Sequence, residues 1–130
     1  MIDWRAVLAV GAGAAIGGVA RLLITQLAVA RVGPGFSWYA TAFINVTGSF
    51  LIGAVIETAQ TRTGVGPLWR AFLATGVLGG YTTFSTFSYE ALTLYAGGFG
   101  VTALLYVLGS VALGIAGAFG GIATARALAP

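Results

Sequence analysis

The chain contains four long apolar runs, and the first, from Trp4 to Ala30, carries one charge in its interior, Arg21, besides Arg5 at its start. A helix needs about 20 predominantly apolar residues to cross the hydrocarbon core of a bilayer. The runs fall at residues 4–30, 36–60, 68–95 and 101–126, and each is long enough to cross once. Apolar residues make up 58% of the chain and charged ones 7%, with a mean hydropathy of +0.98. Soluble domains carry charge on roughly a quarter of their residues. The pattern predicts an all-α integral membrane protein: one domain over residues 1–130, with four transmembrane helices.

The polar inventory excludes most chemistry. There is no cysteine and no histidine, which removes disulfide scaffolds, thiolate and imidazole metal centres, and Ser-His or Cys-His catalysis. The net charge of +3 comes from six scattered arginines, with no lysine and no basic cluster. No phosphate-binding surface, and so no nucleic-acid partner, is indicated. Ala28-Val29-Ala30 resembles a leader cleavage site. The apolar stretch before it exceeds the 7–15 residues of a signal-peptide core, and Arg21 interrupts it, so it reads as a span. An enzyme is not expected.

With four spans, both termini lie on one side. Arg5, Arg62, Arg70 and Arg126 fall on that side, against Arg31 and the nearby Arg21 on the other. The excess leans towards termini inside, and it is small for fixing orientation. Gly64, Gly66 and Pro67 punctuate the second loop, and Gly97-Gly98 closes the third span. Gly13 and Gly17, Gly76 and Gly80, and Gly117 and Gly121 are each four apart. That spacing lets helix backbones approach closely in lipid and says nothing about a substrate.

Informative residues are those that cost free energy to place in a bilayer. Arg21 is close enough to a helix end to snorkel to the interface as a structural polar group. Asn45 falls near the middle of the second run, where an interhelical hydrogen bond and a ligand contact are both open readings. The stretch Gly79-Gly80-Tyr81-Thr82-Thr83-Phe84-Ser85-Thr86-Phe87-Ser88-Tyr89-Glu90 is harder to explain as packing. Two adjacent glycines weaken a helix by roughly 1 kcal/mol each. Hydroxyl side chains can satisfy the backbone groups that a break frees. Irregular backbone at membrane depth persists only where it is buried in protein or lines a water-filled cavity. A third helix broken near its midplane, forming an ion site, is the expectation.

Phe84 and Phe87, three apart, share a helix face. Their rings have positive edges, which can line an anion path without a full countercharge. On the fourth span Thr102, Tyr106 and Ser110 recur every four residues, with Gly114 next in the row. That polar stripe is expected to pair with the third helix.

Gly17-Gly18-Val19-Ala20-Arg21, Asn45-Val46-Thr47-Gly48-Ser49-Phe50 and the Gly79–Glu90 stretch closely resemble the Fluc/CrcB fluoride channel family, in the correct order over three spans. The resemblance implies an antiparallel, dual-topology homodimer in the bacterial inner membrane, exporting fluoride passively and so reducing its toxicity. The weak arginine bias suits insertion in both orientations. It implies a pore lined by Phe84 and Phe87 with Asn45 beside them, and with Thr83, Ser85 and Glu90 from the same motif. Tyr106 and Ser110 match pore positions on the fourth helix, whereas Gly114 stands where some relatives have a hydroxyl. It also implies a central structural sodium ion, Na+, held by backbone carbonyls of Gly79 and Thr82 from both subunits.

Two other classes share parts of this pattern. A small multidrug or cation exporter would need a carboxylate embedded in the first helix, where the sequence offers only Asp3 at its start. A non-conducting assembly subunit would share the glycines but leave the hydroxyl-rich break unexplained.

Overall fold

The computed structural model describes residues 1–61 and 66–129. Arg62 and Gly64, counted above in the second loop, lie outside the described residues. Every regular element among those described is helical. Helix α1 is Trp4–Val32, α2 is Ser37–Thr61, α3 covers residues 67–81, α4 is Phe84–Ala96 and α5 is Gly100–Ala127. Helices α1, α2 and α5 are each long and apolar enough to cross a membrane alone. Helices α3 and α4 divide the third apolar run between them.

Local chemistry sets the ends. Asp3 caps α1, its carboxylate accepting from the N–H groups of Arg5 at 3.0 Å and Ala6 at 3.4 Å. The chain then turns at Gly33, whose φ of 92° a side chain would strain, and passes through one 3-10 turn, Pro34–Phe36. Gly98, at φ 87°, makes the corresponding turn between α4 and α5. Within α3 the eight residues Ala71–Leu78 are wound as a π-helix, a rare winding that recurs at functional sites.

The helices pack as two close pairs, α1 with α3 and α2 with α5. Glycines at the predicted spacing make both contacts. A Cβ on Gly13 or Gly17 would run into the backbone of Phe72 or Val77, and one on Gly76 would lie 2.9 Å from the Val10 carbonyl oxygen. In the second pair Gly53 abuts the Ala118 carbonyl, and Gly121 abuts that of Phe50. Helix α4 leans across α2 and α5.

The glycine pair Gly79-Gly80 does not itself break the third helix. It stays helical, and Gly80 packs against the backbone of Ala14. The backbone leaves the helix two residues later, where Thr82 (ψ 158°) and Thr83 (ψ 122°) are extended. Close packing on α1 holds the glycines helical, and the chain becomes extended at the β-branched pair beyond them.

The buried apolar core is thin, with Ala40, Ile44, Leu78, Tyr81, Phe87 and Tyr106 among its members. Large apolar side chains such as Leu8, Leu23, Leu104 and Ile115 point outwards along the long helices. An apolar surface on every side is stable in lipid or against further helices. The chain is therefore a multi-pass membrane protein.

Candidate functional site

The break between α3 and α4 is held from α2. Asn45 Nδ2 donates to the Thr83 carbonyl at 3.0 Å, and the Thr83 N–H donates to Asn45 Oδ1 at 2.8 Å. One amide thus satisfies both polar groups of one extended residue. Thr83 in turn caps α4, its hydroxyl accepting from the Thr86 N–H at 3.3 Å and donating to Thr86 Oγ1 at 3.1 Å, with Ser85 Oγ 3.3 Å away.

These bonds divert two donors from the helical ladder. In an α-helix each N–H closes on the carbonyl four residues earlier. The Thr83 N–H that would close on Gly79 goes to Asn45 instead, and the Thr86 N–H that would close on Thr82 goes to the Thr83 hydroxyl. The carbonyls of Gly79 and Thr82, the two singled out from the sequence, are the ones whose ladder donors are taken. The Thr82 side chain is anchored on the Leu78 carbonyl at 2.9 Å. Tyr81 OH and Thr47 Oγ1 share a hydrogen bond at 3.0 Å, tying the end of α3 to α2.

Asn45, Ser49, Gly79, Thr82, Thr83 and Phe84 line an open groove of about 340 Å³ along the face of the chain. Phe84 is 80% exposed there, whereas Phe87 is 9% exposed. Their ring centroids are 5.9 Å apart, so the expected pairing on one face of α4 is present with very different burial. From Phe87 the contacts continue to Tyr106 at 5.0 Å and on to Trp38 at 5.6 Å, edge to face.

A second polar cluster surrounds Glu90. Tyr106 OH donates to Glu90 Oε2 at 2.8 Å, and Ser37 and Thr41 each donate to Oε1 at 3.1 Å. Three hydroxyls from two other helices thus converge on one carboxylate, filling acceptor positions on both of its oxygens. Glu90 and Tyr106, both singled out from the sequence, therefore meet, one helical turn beyond the Phe87 ring. Ser110, one turn further along α5, has a buried hydroxyl with no hydrogen-bond partner among the described residues. Arg21 is half-buried on α1, its carbonyl accepting from Thr25 Oγ1 at 2.9 Å. The structure does not bring it to the groove or to Glu90.

On α2 the sequence singled out Asn45 but not Ser37 and Thr41, the partners of Glu90. Ser37, Thr41, Asn45 and Ser49 recur every four residues, the same signal that marked Thr102, Tyr106 and Ser110 on α5. The two rows run in the same direction and in register: Thr41 and Tyr106 meet at Glu90, Ser49 is level with Gly114, and Gly53 with Ala118. Beyond them Glu57, buried near the end of α2, accepts from Arg126 Nε at 2.8 Å.

Fold and site together define a multi-pass membrane protein whose polar groups converge on a break in an apolar helix. Its lineage is equally clear. The family model described as CrcB-like protein, Camphor Resistance (CrcB), matches residues 8–122, and the chain belongs to that family. A protein of Rhizobium meliloti (strain 1021) named fluoride-specific ion channel FluC is 48% identical over 122 residues, covering 94% of this chain and 97% of that one. A Roseiflexus sp. (strain RS-1) protein of the same name is 45% identical, covering 94% and 98%. Another, from Nitrobacter winogradskyi, is 42% identical over 127 residues, covering 98% of this chain and all of its own length.

Proposed function

We propose that this protein is a fluoride-selective channel of the bacterial inner membrane, exporting fluoride passively and so limiting its toxicity. The observation that carries the reading is the groove at the α3–α4 break. It offers hydroxyls, an amide and an aromatic ring, with no carboxylate among its lining residues. Dehydrating a small anion requires converging donors that are neutral enough to release it. The Asn45 amide retains one N–H beyond its bond to Thr83, and the exposed Phe84 offers a ring edge. The ion itself comes from the relatives, named fluoride-specific ion channels along nearly their whole length. A small exporter coupled to protons needs a carboxylate embedded in its first helix; α1 has only Asp3 before its start, occupied in capping it.

In this reading α3 and α4 together make one crossing, giving four per subunit, and the working unit is an antiparallel, dual-topology homodimer. The open groove and exposed Phe84 on a single chain support a second copy closing the pore. Pore contacts come from Asn45, Thr83, Phe84, Ser85, Phe87, Tyr106 and Ser110, with Glu90 organising Tyr106. A sodium ion on the dimer axis takes the carbonyls of Gly79 and Thr82 from both subunits. The diverted ladder donors support that fit: hard cations prefer oxygen ligands, and these two carbonyls are without their helical partners. Fluoride efflux from proteoliposomes, with chloride as control, tests the reading. Chemical cross-linking at Phe84→Cys across the twofold axis tests the dimer.

A further inference from the structure

The polar row on α5 runs Thr102, Tyr106, Ser110 and then reaches Gly114, which has no side chain. A Cβ built on Gly114 would lie 3.4 Å from a single atom, Ser49 Oγ. The position left vacant on α5 is thus filled from α2 by a hydroxyl. Ser49 also lines the groove with Thr82, Thr83 and Phe84. It is one helical turn from Asn45, whose amide holds the break. Next to it in the row, the Ser110 hydroxyl is buried and unpartnered, which is costly unless a ligand completes it.

We propose that Ser49 is a specificity-determining residue of the anion path, supplying from α2 the hydroxyl that α5 lacks at Gly114. This rests on the fluoride-channel reading. The row that meets a dehydrated anion then runs Tyr106, Ser110, Ser49 across two helices. Ser49 Oγ donates to the Asn45 carbonyl at 2.7 Å. That carbonyl also belongs to the α2 ladder, so the hydroxyl can rotate towards an anion without leaving it unpaired. Gly114 matters because a Cβ there would be in van der Waals contact with Ser49 Oγ and nothing else, so the two positions stand at one level of the row.

The test is a helix-to-helix transfer of the hydroxyl. Ser49→Ala, Ser49→Ala/Gly114→Ser and the unmodified protein are reconstituted at equal density, and fluoride efflux is measured beside gel filtration of each. Ser49→Ala should reduce flux about tenfold, the rate equivalent of one hydrogen bond to a charged group, with the elution volume unchanged. The double variant should recover most of that loss, because the hydroxyl returns to the same level of the row. Unchanged flux in Ser49→Ala overturns the assignment while leaving the channel reading intact. Reduced flux without recovery in the double variant also overturns it, because Ser49 would then act only through its bond to Asn45. An unmodified protein that passes no fluoride overturns the channel reading and the Ser49 assignment together.

Discussion

Asn45 binds both backbone groups of Thr83, donating at 3.0 Å and accepting at 2.8 Å, and so bridges α2 to the gap between α3 and α4. The bond explains how two extended residues persist within an apolar helix run. Without it, a C=O and an N–H would be left without partners where water is scarce.

Asn45→Ala should therefore destabilise the protein by about 1–3 kcal/mol for each group left unpaired. Asn45→Asp keeps the acceptor for the Thr83 N–H but sets a carboxylate oxygen against the Thr83 carbonyl, so it should lose both stability and fluoride flux. Thermal unfolding in detergent, with liposome flux alongside, checks both. Unfolding at the unmodified temperature would show that the break is held by other contacts.

The fold was legible in the sequence wherever it depended on local pattern. Apolar runs placed the ends of α1, α2 and α5 within a few residues, and the glycine spacing identified the surfaces of both helix pairs. The break was legible as a region, but its position was not. Gly79-Gly80 has the weaker helix propensity, yet packing of Gly80 on Ala14 keeps the pair helical and moves the break to Thr82-Thr83. Contacts between distant segments, Ser37 and Thr41 to Glu90 or Glu57 to Arg126, depend on how helices are set side by side. No pattern within one helix states that, although the row at Ser37, Thr41, Asn45 and Ser49 shows which face of α2 is polar.

Phe84 and Phe87 separate a role in conduction from one in packing. Phe84 is 80% exposed on a single chain, so Phe84→Ile should leave the unfolding temperature of the subunit nearly unchanged while fluoride flux falls steeply. Phe87 is buried against the Tyr106 ring, and Phe87→Ile should also cost roughly 1 kcal/mol from the lost aromatic contact. Flux at the unmodified rate in both variants would remove the rings from the pore.

Tyr106→Phe tests the cluster at Glu90. It removes the 2.8 Å hydroxyl bond to Oε2 but retains the ring that packs on Phe87 and Trp38. An intramolecular hydrogen bond contributes about 0.5–1.5 kcal/mol net, and the loss should appear as a lower unfolding temperature. Removing Ser37 or Thr41 singly should cost less, since each is one of two donors to Oε1. Equal losses from all three would show that the carboxylate does not depend on Tyr106 in particular.

The α1–α3 contact makes a prediction about neighbouring glycines. A Cβ on Gly17 meets the Val77 backbone, whereas one on Gly18 meets nothing within 4 Å. Gly17→Ala should destabilise by about 1–3 kcal/mol through overpacking. Gly18→Ala should be neutral or stabilising by up to about 1 kcal/mol through helix propensity. Unfolding curves for the pair check this, and similar losses in both would contradict the packing described.

The central claim is tested most directly by fluoride efflux from liposomes containing the purified, unmodified protein, recorded with no proton gradient and repeated with chloride. The account predicts rapid fluoride efflux that needs no proton counter-transport and greatly exceeds the chloride rate. Efflux no faster than from protein-free liposomes, or efflux that stops when the proton gradient is removed, would contradict it.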